Sequence, residues 1–250
     1  MPPTSCSPFA DHFTHMPVFQ LNKTLLFPPP QLARDDGLLA VGGDLSAKRL
    51  LLAYRMGIFP WYAPGEPILW WAPDPRLVLL LDEFHLTRRL ARTMRRNIFE
   101  ISMDQAFGDV IKQCADVRLK NGEGTWIDQD MTRAYCELHN QGYAHSVECW
   151  RDGKLAGGLY GVSLGNMFFG ESMFSLVSDS SKVALAVLVN RLKAWRFELI
   201  DCQIGTDHLR SLGAREIPAE NFYNRLNKNA SLPAGQEDWR LELTKTACFL

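Results

Sequence analysis

One carboxylate, Glu171, stands in the otherwise uncharged run GGLYGVSLGNMFFGESMFS from Gly157 to Ser175. Further along, the strand-like FELIDCQI carries Asp201 and Gln203 two positions apart. A carboxylate amid apolar and aromatic neighbours is expensive to bury unless it is paired or used. It can hold a cationic group or accept structural hydrogen bonds from a nearby backbone or Arg, and the residue types alone leave these readings open. Asp201 and Gln203, spaced by two, share one face of a strand. Brought beside Glu171, they would place two acids and an amide around one point.

The elements that must do this are legible around them. Apolar runs flank Ser163-Leu164-Gly165-Asn166, which reads as a hairpin turn with Gly165-Asn166 supplying positive φ. Strict alternation puts Phe169, Glu171 and Met173 on one face of the outgoing strand, and Phe168, Gly170, Ser172 and Phe174 on the other. Upstream, HSVECWRDGKLAG turns at Asp152-Gly153, so the region is a meander. Ser178 to Ser181 can cap the helix SSKVALAVLVNRLKAWRF, apolar nearly all round and therefore buried. That helix feeds the strand bearing Asp201 and Gln203. Strands, buried helix, strand, helix imply a mixed α+β domain of acyltransferase type, with the hairpin strand and the post-helix strand side by side.

Two other stretches offer binding chemistry. Pro60-Trp61-Tyr62, Pro64, Pro67, Trp70-Trp71, Pro73 and Pro75 form a proline-stiffened aromatic segment, which can stack a base, line an acyl pocket, or be the core of a small domain. HLTRRLARTMRR, His85 to Arg96, is a basic amphipathic helix. Leu86, Leu90 and Met94 recur on one face, and Arg88, Arg89, Arg92, Arg95 and Arg96 suit phosphate contacts or a solvated surface. Before the aromatic segment, a helix capped by Asp44 or Ser46 carries Leu50, Leu51, Ala53, Tyr54 and Ile58 inward and ends near Gly57. Strand IFEISM precedes helices over Gln105 to Leu119 and Asp128 to Gln141. Asn121 to Trp126 is Gly-rich but lacks the strand and Gly-Lys-Ser/Thr context of a phosphate-binding loop.

Composition sets the limits. The 250 residues are 46% hydrophobic, enough for one large or two small domains. Twenty-seven basic against 28 acidic residues give a net charge of -1, so a nucleic acid could be held only by a local patch. Cys6, Cys114, Cys136, Cys149, Cys202 and Cys248 are scattered without zinc-ligand spacing and read as reduced thiols. No window reaches the roughly 18 apolar residues of a membrane span. The expectation is a cytoplasmic protein, with residues 1–16 a loose tail.

The runs GLLAVGGDLS, GIFPWYAPGEPILWWAPDPR, EGTWI, AHSVE, GGLYGV, FFGESMFS, SDSSK, LIDCQ, and DH followed by SLGA occur in the order in which they occur in the leucyl/phenylalanyl-tRNA-protein transferases, from Val18 into the 220s. The resemblance implies an enzyme that moves Leu or Phe, with Met a further candidate, from aminoacyl-tRNA to proteins with N-terminal Arg or Lys, marking these N-degron substrates for degradation. It implies a small N-terminal α/β domain over 17–75 and, over 76–250, a domain with a mixed sheet like the GCN5-like N-acetyltransferases (GNAT). A monomer without cofactor or metal is implied. Residue by residue, it makes Asp201 and Gln203 the catalytic pair with Glu171 an active-site carboxylate, and Trp61, Trp126 and Tyr54 contacts for the aminoacyl-adenosine. The donor side-chain pocket falls on Leu159, Phe168, Leu185, Leu188 and Leu192. The basic pattern of HLTRRLARTMRR, rather than the resemblance, makes Arg88, Arg92, Arg95 and Arg96 the tRNA-binding candidates. Family members carry larger aromatics at some helix positions where this chain has leucine. Where the family reads LNDH after its Gln, this chain has Ile204-Gly205-Thr206-Asp207-His208.

The residue types suit that chemistry. An aminoacyl ester is already activated, so the amine needs only deprotonation and placement. In this scheme Asp201 orients Gln203, whose carbonyl accepts from the amine, and Glu171 holds the cationic acceptor; Gln is no general base. A Cys hydrolase using Cys202 with His208 or His145 is disfavoured, because a thiol beside a buried Asp resists ionisation and alternation turns Cys202 away. A CoA-dependent N-acyltransferase would want a Gly-rich pyrophosphate loop, and Leu176 to Ser181 has no glycine. A non-catalytic RNA-binding module leaves Glu171 and the Asp-x-Gln pair without a role.

Overall fold

A computed structural model describes residues 18–120, 122, 124–229 and 238–250; the expected tail over 1–16 lies outside them. In chain order the strands and helices are β1 (Phe19–Leu21), β2 (Leu38–Gly42), α1 (Ala47–Arg55), β3 (Phe59–Pro60), β4 (Leu69–Trp71), β5 (Arg76–Leu80), α2 (Arg88–Arg95) and β6 (Glu100–Met103). There follow α3 (Phe107–Lys120), α4 (Gln129–Asn140), β7 (Ala144–Arg151), β8 (Lys154–Leu164), β9 (Met167–Ser175) and α5 (Ser180–Ala194). Last come β10 (Leu199–Gln203), α6 (Asp207–Arg210), β11 (Arg215–Ile217), α7 (Ala219–Asn229) and β12 (Leu241–Lys245). The α+β class and the mixed sheet are as expected.

Two sheets divide the described chain. The small one has the order β1-β2-β4-β3, and the large one runs β11-β5-β10-β9-β8-β7-β6-β12. Within the large sheet β9 and β10 are parallel, joined across one face by α5, and every other neighbour pair is antiparallel. The meander is present, with Gly165 at φ 53 and Asp152 and Gly153 at φ 52 and 69 in its two turns. One apolar layer packs α3 and α4 against the sheet and runs on into α1 and the small sheet; the other packs α5 and α2.

Local chemistry explains most element ends. Of the two possible caps of α1, Ser46 accepts from the Arg49 N–H, and Gly57 at φ 74 ends the helix as expected. Helix α2 begins only after Thr87, whose hydroxyl accepts from Leu90 N, so His85 and Leu86 lie outside the helix predicted to start at 85. The cap of α5 falls within Ser178 to Ser181 as expected, though no side chain there makes the capping hydrogen bond. Asp179 takes the N-cap position at φ 69, and Ser175, at the end of β9, supplies the hydroxyl that accepts from Ser181 N (3.1 Å).

Strict alternation fails on β9. The β8–β9 register runs Tyr160↔Ser172 and then Gly161↔Gly170, so Glu171 is the extra residue of a β-bulge. Beyond the bulge Phe174 therefore rejoins Phe169 in the α3/α4 layer, while Phe168 and Met173 belong to the α5 layer. The expectation that Met173 shares a face with Phe169 is corrected for this reason.

Candidate active site

Strands β9 and β10 pair only from Leu199↔Met167 to Asp201↔Phe169, then part. Each is irregular where they separate: β9 at the Glu171 bulge, β10 between Asp201 and Gln203, where its register against β5 shifts and Gln203 adopts φ 61. A cavity of about 440 Å³ opens in this cleft. Its wall includes the apolar side chains of Leu159, Phe168, Leu185, Leu188 and Ile200, the adjoining rings of Trp61 and Trp126, and the hydrogen-bonded pair Glu171 and Gln203.

Glu171 accepts from three side chains: Tyr54 Oη (2.7 Å) and Gln203 Nε2 (2.8 Å) on Oε1, and Tyr135 Oη (2.8 Å) on Oε2. The two tyrosine hydroxyls also touch each other. Burial pushes the Glu171 carboxyl up to about 7, against the downward pull of these three hydrogen bonds. Burial and the neighbouring Glu171 charge hold both phenols well above the usual range, so they remain neutral donors. The carboxylate is thus a pre-organised acceptor with spare capacity on Oε2, poised to change protonation near neutral pH.

Asp201 does not line the cavity. It is fully buried, its two oxygens held by Arg76 Nε (2.8 Å) and Nη2 (2.7 Å), and Arg76 lies between the rings of Phe59 and Phe222. Its contact with Gln203 is to the backbone: Oδ1 accepts Gln203 N at 2.9 Å. Face-sharing at i and i+2 fails here because the left-handed backbone at Gln203 swings its amide across to Glu171. Asp201 pins that turn and so acts through Gln203. With Nε2 engaged by Glu171, the Gln203 carbonyl oxygen is the amide atom left for a substrate.

The other expected residues sort clearly. Leu159, Phe168, Leu185, Leu188, Trp61 and Trp126 share the cavity wall; Leu192, one turn beyond Leu188, is buried but off the wall, and Tyr54 stands behind Glu171. Trp61 is 40% exposed and packs edge-on to Trp126 at 6.2 Å, whereas Trp70 is wholly buried and donates to Gly42 O, so the aromatic segment is both wall and core. Arg88, Arg92 and Arg95 on α2 and Arg96 at its C-terminal cap are exposed and line no part of the cavity.

Cys202 does line the cavity, contrary to the alternation argument, since the irregularity at Gln203 brings both side chains to it. Burial and the Asp201 charge push its thiol far up, which removes a nucleophile near neutral pH. His145 is held by Asp104 instead, its Nδ1 2.7 Å from Oδ2. Thr206 lines the cavity and caps α6 by accepting from Leu209 N (3.3 Å).

Sequence reasoning missed Tyr135, Arg76 and Arg118. Arg118 lines the cavity with its guanidinium 4.1 Å from the Trp126 ring centre. A lone Arg heading the apolar run RLVLL was a readable signal for Arg76; the others had none.

Known proteins resemble this chain closely. The model of the leucyl/phenylalanyl-tRNA protein transferase family matches residues 78–227, and that of its N-terminal domain matches 43–74. A leucyl/phenylalanyl-tRNA–protein transferase of Desulforapulum autotrophicum is 58% identical over 85% of this chain and 93% of its own length. One from Hydrogenovibrio crunogenus is 49% identical over 94% of this chain and 93% of its own. Among solved structures, a ribosomal-protein-alanine N-acetyltransferase from Brucella melitensis shares 12% identity over 58% of this chain and 97% of that one, at a TM-score of 0.33, too slight a likeness to argue from.

Proposed function

The chain belongs to the leucyl/phenylalanyl-tRNA-protein transferase family, and from that premise we propose that its cavity takes the aminoacylated end of a tRNA carrying Leu, Phe or Met. The acceptor is the α-amino group of a protein beginning with Arg or Lys, which the transfer marks for degradation. The observation that carries this reading is that one cavity combines three kinds of surface: apolar side chains, the Glu171–Gln203 pair and two tryptophans. An aliphatic or aromatic donor side chain fits the first, an adenine stacks on the last, and the ester between them falls beside the polar pair.

Glu171, with its carboxyl near 7, receives the proton of the incoming α-ammonium, whose own pKa is about 8. Gln203 Oε1 accepts a hydrogen bond from the freed amine and aims its lone pair at the ester carbonyl. The C–N bond forms, the C–O bond to the ribose breaks, and the ribose oxygen leaves as a hydroxyl on taking the second proton that the nitrogen sheds, while the first passes from Glu171 to solvent. Asp201 holds the Gln203 backbone in the conformation this requires. The unit over 17–75 contributes Trp61 to the adenosine wall, and the exposed arginines of α2 meet tRNA phosphates.

A CoA-dependent acyltransferase fits less well. At the N-terminus of α5, where a pyrophosphate would sit, Ser181 N is already bonded to Ser175 Oγ and Asp179 places an acid at the cap. The test is transfer of labelled Leu or Phe from charged tRNA to an Arg-initiated protein across a salt series. Transfer that weakens as salt rises is expected, and no transfer at low salt overturns the proposal.

A further inference from the structure

We propose that Trp239 is a positioning residue for the donor side chain: it fixes Phe168 and thereby sets the depth of the apolar part of the cavity. The inference rests on the transferase reading above and extends it to donor selection. Trp239 lies beyond the stretch matched by the family model, which ends at 227. It is 7% exposed and belongs to the apolar layer around α5.

The indole is confined by rings. It stacks on His145, with centres 3.9 Å apart and planes 8° from parallel, and meets Trp195 at 4.8 Å and Phe197 at 6.1 Å. His145 is itself held: Asp104 Oδ2 takes its Nδ1 at 2.7 Å, while Oδ1 of the same carboxylate accepts Ser146 N at 2.8 Å. The plate against the indole is therefore anchored through Asp104. In front, the Trp239 ring stacks on Phe168, with centres 5.7 Å apart and planes 27° from parallel.

Phe168 is a cavity wall with no freedom of its own. A Cβ added at Gly161 would fall 2.5 Å from its Cε1 and 2.7 Å from its Cζ, so the ring rests directly on the β8 backbone. Gly161 thus closes one side of the ring and Trp239 another. Shortening Trp239 gives the ring somewhere to retreat, because cores collapse only partly around a deleted group. The cavity then deepens on the side that meets the donor side chain, which favours the longer and wider Phe over Leu.

The experiment measures kcat/KM for leucyl-tRNA and phenylalanyl-tRNA with one Arg-initiated peptide, for the wild type, Trp239→Leu and Trp239→Phe, with circular dichroism on each protein. The Phe:Leu ratio is expected to rise about 5- to 10-fold in Trp239→Leu, the scale on which apolar pockets distinguish small differences in side-chain size. It should rise by less in Trp239→Phe, which keeps an aromatic face against His145 and preserves the reading if the Leu variant does not fold. An unchanged ratio, or equal loss with both donors, overturns the proposal by reducing Trp239 to a core residue. A wild type inactive with both donors fails the transferase reading instead.

Discussion

Replacing Glu171 by Gln isolates the protonation of the buried carboxyl from every other group in the protein. Burial raises this carboxyl from an ordinary 4.5 to about 7, so the folded state holds a proton that the unfolded chain has already released. The stabilising contribution is complete below 4.5 and is lost as pH climbs through 7. A rise of that size corresponds to about 3 kcal/mol between the ends of the window. The amide introduced by Glu171→Gln cannot ionise, so the variant lacks this pH dependence while keeping all the rest. Urea unfolding of both proteins from pH 5 to pH 8 should therefore show the variant gaining about 2 to 3 kcal/mol on the wild type as pH rises, read as a change in midpoint at constant slope. Other titrating groups cancel in the difference. Parallel stability curves, with a gap that stays within about 0.5 kcal/mol, would refute the argument that the three hydrogen bonds from Tyr54, Tyr135 and Gln203 fall short of offsetting desolvation.

Asp201→Asn leaves Arg76 buried without its counter-charge, and a loss of about 3 to 5 kcal/mol in urea unfolding is expected; a loss under about 1 kcal/mol would mean that the pair is hydrated. Gly161→Ala drives a Cβ to 2.2 Å from Phe169 O and onto the Phe168 ring, and should lower stability by about 1 to 3 kcal/mol, measured as the thermal midpoint. Replacing Arg88, Arg92, Arg95 and Arg96 together by Ala should lessen the slope of log affinity against log salt for tRNA by about 3, at unchanged circular dichroism; an unaltered slope would remove α2 from the tRNA surface. Ala at Trp61 or Trp126 should weaken donor binding by about 1 to 3 kcal/mol, seen in the KM for aminoacyl-tRNA.

The linear chain by itself determined the parts and their kinds. Its periodicities located the meander, the buried helix α5 and the basic helix α2, because burial on one face imposes a period that is written in residue order. Its motifs carried the family, and with it Trp61, Trp126, Leu159, Phe168, Glu171, Leu185, Leu188 and Gln203 of the cavity wall. What it could not carry was the side to which each functional group turns. Alternation counts residues, whereas the bulge at Glu171 and the left-handed backbone at Gln203 are responses to the parting of β9 from β10, which depends on pairing between distant segments. Those two irregularities brought the Gln203 amide to Glu171, sent Asp201 inward to Arg76 and opened Cys202 to the cavity. Likewise Trp239 reads as one more aromatic near the end of the chain. Only the tertiary structure set it behind Phe168, because a ring's neighbours in a packed core are fixed by shape and not by sequence distance.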